Sequence, residues 1–104
     1  EEVVFGLFLD TQHRLLIAEE LNVGTLSHSS IYPREIAKRA LQYNAAALIL
    51  AHNHPSGSNQ PSQADIQITK QLQAALALFE VRLLDHLIVA RAGITSLAEL
   101  GCLI

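Results

Sequence analysis

The chain has 104 residues, 50% hydrophobic and 16% charged, with a net charge of −3 and a pI near 5.9. That is enough apolar material for one folded domain and too little length for two, and it excludes intrinsic disorder. The longest unbroken apolar run, Ala45–Ala51, has seven residues against the roughly 20 of a membrane-spanning helix, and an acidic domain makes a poor electrostatic binder of nucleic acid.

Val3–Leu9 reads VVFGLFL, rich in β-branched and aromatic residues, and runs into Asp10-Thr11-Gln12-His13. That pattern predicts a strand and a turn. Arg14–Ala18 is a second short apolar run, so the two are expected to form an antiparallel hairpin. Gly24 marks another turn, and Thr25–Ile31 is a weak candidate for a third strand. Pro33 opens a helix, where its missing N–H does no harm. Ile36, Ala37, Ala40 and Leu41 recur at helical spacing, and Asn44 ends the helix. Ala45–Ala51 is apolar on both faces and suits a buried central strand.

His52 to Pro61 carries two prolines, a glycine and no periodicity, which predicts a loop. Ser62 with Asp65 three positions on is a capping-box pattern. Ile68, Leu72, Ala75, Leu76 and Phe79 then mark the buried face of a long helix. Val81–Ala90 contains another strand. Ser96 with Glu99 is a second capping box, which predicts a short last helix before Gly101. The whole reads as a single α/β domain, a mixed sheet flanked by helices. One cysteine, Cys102, excludes an internal disulfide, and no secretory signal pattern opens the chain. The expected compartment is the reducing cytoplasm, with no membrane contact. The abrupt start at Glu1-Glu2-Val3 and the lack of methionine suggest one domain over residues 1–104, cut from a longer chain.

Chemistry is concentrated between His52 and Asp65. The segment follows a buried strand and leads into a helix, where α/β proteins place their sites. His52 and His54, one residue apart in extended chain, point to the same side. Asp65, one turn into the next helix, can return to complete a three-ligand set for zinc or a similar metal, leaving a fourth position for water. The bland alternative is two solvated histidines and an acid favoured by its helix end. Hydrolysis would further need a carboxylate to move a proton, and Glu1, Glu2, Glu19, Glu20 and Glu35 are the candidates. Ser62 could donate to a developing oxyanion or be a plain N-cap.

His52-Asn53-His54-Pro55, seven residues from Pro55 to Pro61, then Ser62-Gln63-Ala64-Asp65 is similar to the JAMM motif of the JAB/MPN metalloproteases. The wider string resembles the RadC family of bacteria. Phe8-Leu9-Asp10, Gly24-Thr25, Tyr32-Pro33-Arg34-Glu35, Asn44-Ala45-Ala46-Ala47, the HNHPSG and PSQAD segments, and Leu84-Asp85-His86-Leu87 carry that resemblance over nearly the whole chain. It implies the JAB/MPN fold, a three-layer sandwich like that of cytidine deaminases. It implies one zinc ion on His52, His54 and Asp65, with Ser62 in the serine role of the motif.

The motif's glutamate stands at the start of a strand, and Glu2 is the matching position. Glu35 is the runner-up, with a first-turn helix acid as its ordinary explanation. Glu19 and Glu20 precede a turn and are expected to be solvated. Asp85 and His86 belong to the RadC signature and are candidates for contacts behind the ligands or with substrate, or for a backbone-satisfied pair at a strand entrance. Asn53 replaces the Ser or Thr of the eukaryotic pattern and argues against a direct transfer of deubiquitinase specificity.

Two functions are implied. One is a zinc hydrolase acting on a peptide or isopeptide carbonyl, with an unidentified peptide or protein substrate. The other is a non-catalytic accessory or binding module in DNA repair, with any DNA contact made outside this domain. A zinc deaminase would need Pro-Cys-x-x-Cys, which is not present. A homodimer through the edge of the first hairpin is a further expectation.

Overall fold

A computed structural model describes residues 2–23 and 32–103. In chain order the elements are β1 (Val3–Leu9), β2 (Leu15–Val23), α1 (Pro33–Gln42), β3 (Ala47–Asn53), α2 (Gln63–Ala77), β4 (Arg82–Ala90) and β5 (Gly93–Ser96). The candidate strand at Thr25–Ile31 lies outside the described residues.

The hairpin turn is organised by Asp10. Its Oδ1 accepts the Gln12 and Arg14 N–H groups at 2.9 Å, and its Oδ2 accepts Arg14 Nε–H at 2.8 Å. His13 takes a positive φ of 62° to close the turn. β2 runs past Ala18 to Val23, farther than the apolar run suggested. Glu19 is the reason: it is half-buried, not solvated, and its carboxylate accepts from Arg39 Nη1 at 2.8 Å and from the Tyr43 hydroxyl at 2.5 Å. Two partners, one on α1 and one at its C-terminal cap, thus let an acidic residue face the helix side of an edge strand.

Pro33 stands in the first turn of α1. The helix ends where Asn44 adopts the left-handed conformation (φ 57°), with Asn44 N–H bonding to Leu41 O at 3.1 Å and Ala45 N–H to Ala40 O at 2.8 Å. This pairing satisfies two last-turn carbonyls and redirects the chain into β3. Ser62 caps α2 with the expected reciprocal bonds: its Oγ accepts Asp65 N–H at 3.0 Å and its N–H donates to Asp65 Oδ2 at 2.9 Å. Phe79 falls beyond the end of α2 and is 49% exposed, not part of the buried face.

The strands form one sheet in the order β2-β1-β3-β4-β5. Only β3 and β4 are parallel, joined through α2; the other pairs are antiparallel. One sheet face presents Val4, Phe8, Leu48, Leu50 and Leu83. Against it pack Ile36, Ala37 and Ala40 from α1 and Leu72 and Leu76 from α2, making one core. The mixed α/β sheet with helices is therefore as expected. Both helices lie on the same face, so a third layer is not found among the described residues, and Phe5 and Val89 on the far face are 43% and 40% exposed.

The predicted last helix does not form. Ser96 Oγ accepts Glu99 N–H at 3.1 Å as a cap would, but the segment makes only turns, closed by Cys102 N–H to Leu97 O at 2.9 Å around Gly101 at φ 82°. A helix this short cannot offset its nucleation cost. Leu97, fully buried, anchors the turn instead. No helix of the described residues is long and apolar enough to cross a membrane.

Candidate metal centre

His52 and Asn53 belong to β3 rather than to the following loop. Strand alternation turns His52 toward the helices, where it is 3% exposed, and turns Asn53 to the opposite face. His54 continues the pairing with β4 through its N–H to Val89 O at 2.9 Å. The loop then folds back at Gly57, which has φ 95° and whose carbonyl accepts Ala92 N–H at 3.0 Å. That bond ties the ligand loop to the β4–β5 turn. Asp65 enters from the first turn of α2 and is buried. The helix end favours its negative charge.

His52, His54 and Asp65 each bring one ligand atom within 4.8 Å of the others, so the group is able to hold a metal ion. His54 Nε2 lies 3.1 Å from Asp65 Oδ2, and His52 Nε2 lies 3.4 Å from Asp65 Oδ1. His54 Nδ1 is 3.0 Å from the Ser58 carbonyl, which can only accept, so this nitrogen carries the ring's proton. Its other nitrogen, Nε2, faces the Asp65 carboxylate. His52 Nε2 is buried with no hydrogen-bond partner among the described residues. A buried polar atom without a partner is costly, and a cation between two imidazole nitrogens and a carboxylate removes that cost.

The other candidates separate clearly. Glu2 stands just before β1, and β1 pairs with β3 so that Val4 faces His52. The start of β1 therefore lies at the site, and the negative charge of Glu2 acts on His52 together with that of Asp65. Asn53 Oδ1 accepts Val3 N–H at 2.7 Å and so pins the residue next to Glu2. Glu35 is exposed in the first turn of α1. Ser62 is the helix cap and is exposed.

Asp85 and His86 part company. Asp85 accepts from His86 N–H, Ala98 N–H and Ser96 Oγ–H at 2.7, 3.0 and 2.6 Å, which fastens β4 to β5 and the final turn. His86 is fully buried behind His52, its Nε2 2.7 Å from His52 Nδ1. Its Nδ1 is 2.6 Å from Thr69 Oγ1 on α2. The sequence reading passed over Thr69. The available signal was its spacing: four residues beyond Asp65, it occupies the same helix face.

Burial pushes His86 down to about 4, with the neighbouring His52 also lowering it and Asp65 and Asp85 pulling the other way. Burial also lowers His52, against the opposing pull of Asp65 and Glu2. For Asp65, burial works upward, but the Ser62 bonds and the two histidines outweigh it, and its pKa falls below the ordinary carboxylate value.

The sign of the resulting pH dependence follows. An unfolded histidine takes up a proton near 6.5, while His86 in the folded protein does so only near 4. The metal-free protein should therefore lose stability as pH falls from 6.5 to 4, by about 3 kcal/mol from His86, with His52 acting in the same direction. Asp65 adds a contribution present above its unfolded value of 3.8 and lost as pH falls through its lower folded value. Urea unfolding in the presence of a chelator measures this, and a flat stability between pH 7 and 4.5 would contradict it.

A family model described as a RadC-like JAB domain matches residues 1–102. The chain belongs to this family. The RadC-like JAB domain is 63% identical over 102 residues to a UPF0758 protein of Methylibium petroleiphilum, covering 98% of this chain and 46% of that protein. A UPF0758 protein of Bordetella petrii is 59% identical over 102 residues, with 98% and 45% covered. One from Marinomonas sp. is 60% identical over 100 residues, with 96% and 45% covered. The chain thus spans about half the length of these curated relatives.

Proposed function

We propose that this RadC-like JAB domain is a zinc-dependent hydrolase of peptide or isopeptide bonds. The observation that carries the reading is the convergence of His54 Nε2, the partnerless buried His52 Nε2 and the Asp65 carboxylate. Donor chemistry supports zinc, since two imidazoles and a carboxylate are a common catalytic set. Spacing permits it: one donor atom from each of the three residues lies within 4.8 Å of the others.

His52, His54 and Asp65 would hold the zinc, which would supply Lewis acidity and make water at the site more acidic. Glu2, next to Val3, whose N–H is fixed by Asn53, would take the proton from the attacking water and return it to the leaving amine. Ser62 has its oxygen engaged by Asp65 N–H, and its hydroxyl proton is the group it offers to the developing oxyanion. Asp65 is held by Ser62 N–H, which orients the carboxylate that would share the ion with the histidines.

Elemental analysis and turnover together test the reading. The protein should carry one zinc per chain, and chelation should abolish cleavage of a peptide and isopeptide library that added zinc restores. A protein that binds zinc and cleaves nothing in such a library would favour the accessory-module reading. A protein that binds no metal at neutral pH would overturn both the cofactor and the mechanism.

A further inference from the structure

Behind the ligand atoms runs a chain of three hydrogen bonds whose direction is dictated by its far end. Thr69 Oγ1 donates to the Asp65 carbonyl at 2.6 Å. A hydroxyl has one proton, and this bond uses it. The 2.6 Å contact between Thr69 Oγ1 and His86 Nδ1 must then be completed by a proton on Nδ1. His86 is fully buried, and its ring nitrogens face a hydroxyl and an imidazole, surroundings that suit a neutral ring. Its Nε2 is then a lone pair, 2.7 Å from His52 Nδ1, and His52 must supply the proton of that bond. Only Nε2 of His52 is left bare, on the side that faces Asp65.

We propose that Thr69 and His86 form a proton template that locks His52 into the tautomer with hydrogen on Nδ1 and so keeps Nε2 permanently available as a metal ligand. In water an imidazole favours the opposite tautomer, with hydrogen on Nε2, which cannot ligate through that atom. The template starts from the backbone carbonyl of Asp65, itself a ligand residue. One turn of α2 therefore places a ligand and also the anchor that orients a second ligand across the sheet. Thr69 and His86 are positioning residues and touch neither ion nor substrate. The metal half of this inference rests on the zinc reading above; the tautomer half does not.

Thr69→Val removes the hydroxyl at nearly constant volume, and Thr69→Ser keeps it. Long-range proton–nitrogen spectra of the chelator-treated wild type should show His52 and His86 both protonated at Nδ1. Thr69→Val should shift His52 toward Nε2–H and weaken zinc about 10–100-fold in competition with a chromophoric chelator. Thr69→Ser should stay within a few-fold of wild type. A wild-type spectrum with hydrogen on His52 Nε2 overturns the template whether or not zinc binds, and it decides the matter even if Thr69→Val does not fold. Equal zinc affinity in all three proteins also overturns it. Failure of the wild type to take up zinc, with His52 in the Nδ1–H form, would instead sink the zinc reading and leave the template standing.

Discussion

His54→Ala is expected to lower zinc content from one ion per chain to none and to abolish the stabilisation that zinc confers. His54 is one of three protein ligands, and losing it should cost more than the roughly 10–100-fold that loss of an outer partner costs. The effect on stability follows from mass action. At free zinc of about 100 times Kd, binding adds about 2.7 kcal/mol, which for a domain of this size is on the order of 10 °C in Tm. Chelation should therefore lower the Tm of the wild type and leave that of His54→Ala unchanged. His54 sits in the loop, bonded to Val89, Gly57, Ser58 and Asp65, and is less buried than His52, so its removal disturbs the core less than removal of His52. Side-by-side elemental analysis and thermal melts check this. Stoichiometric zinc in His54→Ala with wild-type affinity would place the ion elsewhere.

The second large effect is that of Glu2→Gln, which should keep zinc and lose turnover. Gln has nearly the size of Glu and retains an oxygen acceptor, but it cannot accept a proton at neutral pH. A positioned general base contributes about 10²–10⁴-fold, so kcat/KM should fall by that factor while zinc affinity stays within a few-fold. Glu2 is assigned this role because antiparallel pairing with β3 brings the start of β1 to the site and because its charge acts on His52. Glu35→Gln is the control. Exposed on the first turn of α1, it should leave the rate unchanged. Wild-type turnover in Glu2→Gln, or a large loss in Glu35→Gln, would move the proton carrier to another residue.

Local signals in the chain were strong where they reported backbone chemistry. Pro33, Asn44 and the Ser62–Asp65 box each act on their own neighbours, and each does in the fold what its type suggests. Ser96 and Glu99 carry a similar local signal, yet the helix there is absent, because a cap cannot create the length a helix needs. The extent of β2 was illegible for the opposite reason. Glu19 looks like a solvated acid until Arg39 and Tyr43, about 20 residues on, arrive to satisfy it.

By itself the sequence determined the domain class, the RadC-type motif and the candidate trio His52, His54 and Asp65, since the two histidines differ by one strand period and Asp65 lies in the first turn of the next helix. Glu2 was legible only through the family resemblance; what brings the start of β1 beside His52, some fifty residues on, is the register of β1 against β3, which only the tertiary structure decided. It also decided the fates of Asp85 and His86. Adjacent in sequence, they point to opposite faces of β4: one fastens the last turn and the other backs His52. Thr69 shows the same limit, for a hydroxyl that only completes a helix turn on paper becomes the end of a proton chain once α2 packs on β4. Local patterns encode what a residue does to its own backbone. Which distant side chain fills its remaining hydrogen-bond valence is a property of packing, and that is where the candidate site acquires its chemistry.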